Sequence, residues 1–254
     1  MDFFDLSGRV AIVTGGNGGI GLGMAEGLAT AGAAVVVAAR NREKSEAAVA
    51  RLASLGAASA FIALDVADPG SCRDMVGRTV DRFGRLDILV NNAGMSIRKP
   101  PEDYAVAEWH TVLDTNLTGP LVCCQAAYPV MKEQGGGKIV NIGSMMSLFG
   151  AAYAAAYSAS KGAIVQLTRS LATAWAKDNI QVNAVLPGWI DTELTIAARQ
   201  QVEGLHERIL RRTPAGRWGV PADMAGIAVF LAAPASDFVT GAAIPVDGGY
   251  SVEF

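Results

Sequence analysis

The sequence predicts a single-domain α/β fold: a doubly wound sheet of seven mostly parallel strands with helices on both faces. Three observations carry this expectation. Short apolar runs alternate with longer amphipathic segments along the whole chain. Those runs are uniformly hydrophobic, as strands covered on both faces are, and lack the in–out alternation of a half-wet sheet. The 254 residues, 51% hydrophobic and 18% charged, hold enough apolar surface for one substantial core and too little charge for a disordered chain. Right-handed crossovers then wind the sheet outward from its centre.

Val10-Ala11-Ile12-Val13-Thr14 reads as the first strand, and Gly19 to Ala31 as the helix after it. Ala34 to Ala39 and Arg42 to Leu55 repeat the pattern. Ser59 to Leu64 is a third strand, followed by a helix from Pro69, a residue suited to the first helical position, to Phe83. Leu86 to Val90 is the fourth, and it runs into Asn91-Asn92-Ala93-Gly94. One continuous helix is expected over Glu108 to Glu133, broken by Gly135-Gly136-Gly137. Lys138 to Ile142 is the fifth strand, and a long helix spans Tyr153 to Lys177. Ile180 to Leu186 is the sixth strand, stopped by Pro187-Gly188. Pro221 to Ala233 reads as helix and Ala243 to Val246 as the last strand.

Bulk properties exclude several classes. A net charge of −3 with dispersed basic residues argues against nucleic acid and anionic membranes as partners. No apolar stretch reaches membrane-spanning length. The segment Met1-Asp2-Phe3-Phe4-Asp5 has no basic start, so no secretory signal is expected and a cytoplasmic location is the default. Cys72, Cys123 and Cys124 fit no disulfide or metal spacing and read as core packing. His110 and His206, the two histidines, lack partners at ligand spacing, so no metal is expected. Gly143-Ser144 lacks the G-x-S-x-G elbow of a hydrolase.

The first strand ends in Thr14-Gly15-Gly16-Asn17-Gly18-Gly19-Ile20-Gly21, and a helix opens at once. Such a turn lets backbone approach a pyrophosphate, whose charge the helix N-terminus stabilises. Gly16, Gly18 and Gly21 match G-x-G-x-x-G, while Gly15, Gly19 and Gly21 match T-G-x-x-x-G-x-G, and the sequence leaves both registers open. At the end of the second strand an acid would select a 2′-hydroxyl and an arginine a 2′-phosphate. Arg40 stands there, with Arg42 as a second candidate, so NADP is the preferred cofactor and NAD remains possible.

Tyr157 and Lys161, at i and i+4, share one helix face. An ordinary tyrosine, with a pKa of about 10, is too weak a base at neutral pH. A lysine charge about 4 Å away contributes on the order of 4 kcal/mol at an effective dielectric near 20, enough to lower that pKa by about three units. Ser144 ends the preceding strand, thirteen residues before Tyr157.

Together the glycine turn, the Asn-Asn-Ala-Gly turn and Tyr157-x-x-x-Lys161 with Ser144 resemble the short-chain dehydrogenase/reductase family in its single-domain form. The resemblance runs from about Leu6 to Gly249 and implies a Rossmann-type, seven-stranded sheet. It implies an NAD(P)-dependent enzyme that moves hydride between a nicotinamide and a carbonyl or alcohol carbon. Asn116, Ser144, Tyr157 and Lys161 match the family's tetrad. Tyr157 would be the general acid/base and Ser144 would polarise the substrate oxygen. Lys161 would lower the tyrosine's pKa and hold the nicotinamide ribose, and Asn116 would hold a relay water. Cofactor contacts are implied at Gly15, Asn17, Gly19, Ile20, Gly21, Arg40, Asp65, Val66, Asn92, Ala93 and Gly94. They continue through Tyr157, Lys161 and the Pro187-Gly188-x-Ile190-x-Thr192 turn.

On the substrate side, the polar stretch of about 193–212 resembles the family's mobile lid, and Ser144, Met146, Tyr157, Arg98 and Trp189 are candidate contacts. Ser96-Ile97-Arg98-Lys99-Pro100, 212–219 and 236–239 are similar to the gluconate 5-dehydrogenase branch, which implies a sugar-acid substrate with Arg98 on its carboxylate. The branch also resembles glucose 1-dehydrogenases and 3-oxoacyl carrier-protein reductases, and apolar Met145, Met146, Leu148 and Phe149 beside Ser144 suit a hydrophobic ketone as well. A non-catalytic dinucleotide sensor would be expected to lack a tetrad member, and all four are present. The small residues of Ala151 to Ala163 and the segment Val246 to Tyr250 lead to a homotetramer as the expected assembly.

Overall fold

The computed structural model describes residues 3–253; Met1, Asp2 and Phe254, and with them the start of the acidic N-terminal segment, lie outside the described residues. One seven-stranded sheet organises the chain in the order β3-β2-β1-β4-β5-β6-β7. The strands are β1 Val10–Thr14, β2 Ala34–Ala39, β3 Ser59–Ala63, β4 Ile88–Asn91, β5 Gly137–Ile142, β6 Ile180–Pro187 and β7 Ala243–Val246. Every neighbouring pair is parallel.

The uniformly apolar strands serve two cores at once. Ala11 and Val13 of β1, with Val35 and Val37 of β2, join one buried cluster. Helices α1 Gly19–Thr30, α2 Arg42–Ser54 and α9 Ala225–Ala232 close this face, with Met24, Leu28, Leu52 and Leu231 in the same cluster. The intervening Ile12, Val36 and Ala38 point the opposite way. There they meet α3 Pro69–Phe83, α5 Gly119–Glu133 and α6 Ala155–Trp175. Cys72, Cys123 and Cys124 are free buried thiols of this second layer, and burial alone pushes Cys124 up to about 12. A third cluster lies under α7 Glu193–Gln201 and α8 Leu205–Arg212, where Ala198, Leu205 and Ile209 cover Met145, Leu186, Trp218 and Tyr250.

The expected continuous helix over 108–133 is corrected. Helix α4 Val106–Leu113 and α5 are joined by a π turn at Asp114–Thr118. Pro120 has no N–H, so it cannot supply the i→i−4 bond to the Asn116 carbonyl, and the ladder widens just before it. The helix expected from Pro221 begins with a 3₁₀ turn at Pro221–Met224.

A buried polar chain ties three elements together at the sheet centre. Asn91 donates to Asn141 Oδ1 at 2.9 Å, and Asn141 donates to Thr168 Oγ1 at 2.9 Å. Asn141→Leu keeps the volume but takes one hydrogen bond from each partner in a dry core, which costs about 1–3 kcal/mol. Urea unfolding should show that loss, and an unchanged midpoint would contradict this role for the chain.

Candidate active site

The carboxyl ends of the strands open into a cleft of about 550 Å³. On its first wall, backbone conformation selects one of the two glycine registers. Gly15 and Gly19 have φ of 64° and 51°. A Cβ on Gly21 would overlap the Gly15 carbonyl and the Asn92 amide. Gly18, by contrast, is extended, and a Cβ there would meet nothing within 4 Å. The turn is therefore built on Gly15, Gly19 and Gly21. Gly15, Asn17, Gly19 and Ile20 line the cleft, while Gly21 stands behind them.

The α1 N-terminus has neither a side-chain cap nor an acid in its first turn, whereas Asn41 caps α2 and Asp68 caps α3. Its leading amides are left for an anion. A close-approach glycine cradle with uncapped amides fits a dinucleotide pyrophosphate.

Two neighbours in sequence do different work. Asn91 turns into the core, as described. The Asn92 side chain braces the glycine turn, donating to the carbonyls of Thr14 at 3.0 Å and Gly15 at 3.2 Å. Thr14 Oγ1 in turn accepts the backbone N–H groups of Asn92 and Ala93, each at 3.0 Å. Asn92, Ala93 and Gly94 line the cleft floor.

At the adenosine end expected from the resemblance, Arg40, Asp65 and Val66 line the cleft. Arg42 does not. It pairs with Glu46 at 3.1 Å and lies over the Phe61 ring. Lys44, missed in the sequence, lines the cleft instead and reaches Glu193 across its mouth at 2.6 Å.

Ser144, Tyr157 and Lys161 share the opposite wall. Lys161 is buried, and its Nζ donates to the Ile142 carbonyl at 2.7 Å. Burial lowers its pKa to about 8. Nζ lies 5.6 Å from the centroid of the Tyr157 ring. Tyr157 keeps partial exposure to the cleft, yet the surrounding protein pushes its hydroxyl above the ordinary tyrosine range. The Ser144 hydroxyl and the Arg98 charge offset only part of that rise. Desolvation is the largest influence on the tyrosine here, and the Lys161 ammonium is engaged with a backbone carbonyl.

Asn116 stands behind the wall. Its amide bridges the Met95 backbone, accepting at 2.8 Å and donating at 2.9 Å, and also donates to Ser160 Oγ at 3.0 Å. The Asn116 side chain is thus committed to these partners and does not line the cleft. Thr115, from the same π turn, lines the cleft. The spacing Asn116 to Pro120 was the available signal for that turn.

The far wall holds Pro187, Gly188, Trp189, Ile190 and Thr192. The Trp189 ring meets Trp218 edge-on at 5.7 Å between centroids. The lid stretch forms α7 and α8, with Thr192 capping α7. Of the apolar residues after Ser144, Met145 and Met146 line the cleft. Leu148 is exposed, and Phe149 packs on Tyr250, so the apolar surface offered to a substrate is smaller than the sequence suggested. Tyr153, also missed, lines this end. Arg98 turns its guanidinium to the lid, donating to the Leu194 carbonyl at 3.1 Å and to Gln201 at 3.2 Å. His206 stacks on Trp218, and His110 is exposed. Among the described residues no group of three His, Cys, Asp or Glu is placed to hold a metal.

A family profile described as enoyl-(acyl carrier protein) reductase matches residues 15–251. A 2-dehydro-3-deoxy-D-gluconate 5-dehydrogenase of Formosa agariphila is 40% identical over 98% of this chain and 95% of its own. The chain belongs to the short-chain dehydrogenase/reductase family. It is an NAD(P)-dependent oxidoreductase acting on CH–OH groups. A gluconate 5-dehydrogenase of Gluconobacter oxydans is 39% identical, with 99% of this chain and 98% of that one covered. The crystal structure of a gluconate 5-dehydrogenase from Burkholderia cenocepacia, in complex with NADP and tartrate, superposes with a TM-score of 0.94 at 40% identity. That match covers 100% of this chain and 99% of the other.

The lysine of this dehydrogenase/reductase sets a pH limit. With its pKa lowered to about 8, Lys161 is charged below that pH and neutral above it. Carbonyl reduction also needs the protonated tyrosine, which persists beyond pH 8. The expected kcat/KM for reduction is therefore flat up to about pH 8 and falls above it. A Lys161→Met variant should lose activity and with it that limb of the profile. A profile in the wild-type enzyme that stays flat past pH 9.5 would contradict the assignment.

Proposed function

We propose that this enzyme interconverts a secondary alcohol and a ketone on a sugar acid, with NADP as its preferred cofactor and NAD as a weaker one. The observation that carries the reading is the placement of Ser144, Tyr157 and Lys161 on one cleft wall with Arg98 at its substrate end. Arg98 and Arg208 both draw the Tyr153 hydroxyl down against the rise that burial causes, which puts positive charge near this end of the cleft. The named relatives that act on gluconate or its dehydro-deoxy analogue support the same class.

When bound, the nicotinamide cofactor supplies or removes the hydride. Gly15, Asn17, Gly19 and Ile20 would hold its pyrophosphate. Arg40 with Lys44 would hold the 2′-phosphate, and Asp65 and Val66 the adenine. Asn92, Ala93, Gly94, Pro187, Gly188, Ile190 and Thr192 would hold the nicotinamide half.

The remaining chemistry belongs to the side chains. Tyr157 Oη, held protonated by burial, donates to the developing alkoxide in reduction. Ser144 Oγ orients and polarises the same oxygen. Lys161 places a positive charge beneath the reacting pair, and Asn116 fixes the wall behind them. Met146 and Trp189 wall the substrate pocket, and α7 with α8 acts as the lid that excludes water.

Nicotinamide absorbance would be followed with gluconate, glucose, 5-ketogluconate and a short 3-oxoacyl thioester, each with NADP(H) and NAD(H). Turnover of the sugar acids, lost about a thousand-fold or more in Tyr157→Phe, is expected. In Arg40→Asp the preference for NADP over NAD should fall about 10- to 100-fold. Turnover confined to the thioester or to glucose would overturn the substrate class while leaving the mechanism in place.

The proposal includes a homotetramer and a cytoplasmic location. Exposed Phe238, just before the edge strand β7, and exposed Val252 near the C-terminus supply apolar surface for a contact between copies. Sedimentation should give the mass of four chains, and a monomer would reject the assembly. The three free, buried thiols suit a reducing compartment. Among the described residues no helix is long and apolar enough to cross a membrane.

A further inference from the structure

Helix α7 is a nine-residue element with only Ala198 buried, so core packing alone does not fix it over the cleft. Polar ties from the surrounding walls hold it. Lys44, on the cofactor wall, pairs with Glu193 at the first position of the helix. Arg199 reaches back to Asp191 and lies over the Trp218 ring. The remaining tie comes from the loop after β4. There Arg98 spends one guanidinium nitrogen on the Leu194 carbonyl and the other on Gln201 Oε1, at opposite ends of the same helix.

We propose that Arg98 is a positioning residue that latches α7 closed over the catalytic wall, spanning the helix from Leu194 to Gln201. This deepens the sugar-acid reading above, where Arg98 was a carboxylate contact, and rests on that reading only for its kinetic arm. A planar guanidinium suits this better than an ammonium. Its two terminal nitrogens diverge in a fixed fork and reach two acceptors at once, and three N–H groups remain for a substrate carboxylate. The same side chain therefore joins lid to substrate. A closed α7 presents Arg98 to the pocket, and an open α7 frees it.

The charge of the latch also reaches the reacting pair. Tyr157 faces Lys161 from its own helix, the Ser144 hydroxyl from the segment after β5, and Arg98 from the loop after β4. Arg98 is held by the lid, so lid position and the readiness of Tyr157 to ionise are linked through one residue.

Hydrogen exchange over residues 193–201 tests the latch without any substrate. Arg98→Met and Gln201→Leu should each speed exchange across α7 about five-fold or more and leave β1, β4 and β5 unchanged. Arg98→Lys, able to reach one acceptor at a time, should fall between them and the wild type. Unchanged α7 exchange in both Arg98→Met and Gln201→Leu overturns the proposal.

Kinetics add a second readout. Gln201→Leu keeps the Arg98 charge but releases one of its two ties, so KM should rise about ten-fold and the ionisation limb of alcohol oxidation should move less than in Arg98→Met. Arg98→Met should raise KM and also move the ionisation limb of alcohol oxidation to higher pH. A raised KM confined to carboxylate substrates, with α7 exchange unaltered, would make Arg98 a carboxylate ligand alone and also overturn the latch. If the wild-type enzyme turns over no sugar acid, the substrate reading falls, and the exchange result still decides the latch.

Discussion

Thr14 and Asn92 hold the ends of β1 and β4 together, and the cleft depends on that tie. These two central strands are where the chain changes direction across the sheet, so the connections leaving them diverge to opposite faces and leave a crevice between. Without a brace, the glycine turn after β1 and the turn after β4 would be free loops. The Thr14 hydroxyl accepts two backbone N–H groups from the second turn, and the Asn92 amide donates to two carbonyls at the first. Each of these groups would otherwise be an unmet polar atom close to the core, so the tie satisfies the backbone and sets the cleft width together. Gly21 is needed for the same reason: any larger residue would push Asn92 away.

On this frame the site trades solvation for fixed charge. Lys161 is buried without a carboxylate, with a backbone carbonyl as its anchor, and its proton is correspondingly easier to lose. Tyr157 is pushed the other way and stays protonated. Burial thus favours the uncharged form of both groups: the tyrosine stays protonated as a donor, and the lysine keeps its charge only up to about pH 8. The lid completes the arrangement from outside. Its helices lie on the third apolar cluster, and charged side chains from both cleft walls determine where the outer helix sits.

Much of this was legible in the sequence because it is local. Strands buried on both faces leave uniformly apolar runs, and the order of elements then leaves little topological choice. The Tyr157–Lys161 pair and the two turns are short spacings read along one element. What was not legible depends on contacts between distant residues. The π turn at Asp114–Thr118 follows from Pro120 and from the bonds of Asn116 to Met95 and Ser160, partners that an amphipathic pattern does not register. The choice between glycine registers rested on what a Cβ would meet in space. Arg42 and Lys44 look equally suited to a phosphate in one dimension, yet one helical face sends Arg42 to Glu46 and the other sends Lys44 across the mouth to Glu193. Arg98 likewise finds acceptors about a hundred residues away.

The most direct test of the account follows the transferred hydrogen. NADPH carrying deuterium at the transferable nicotinamide position would be incubated with 5-ketogluconate and the enzyme, and the product examined by NMR. The account requires the label on the carbon that bears the new hydroxyl, with the hydroxyl proton drawn from the Tyr157 side and exchangeable with solvent. Product formed without label at that carbon, or NADPH left unoxidised by every sugar acid offered, would contradict it.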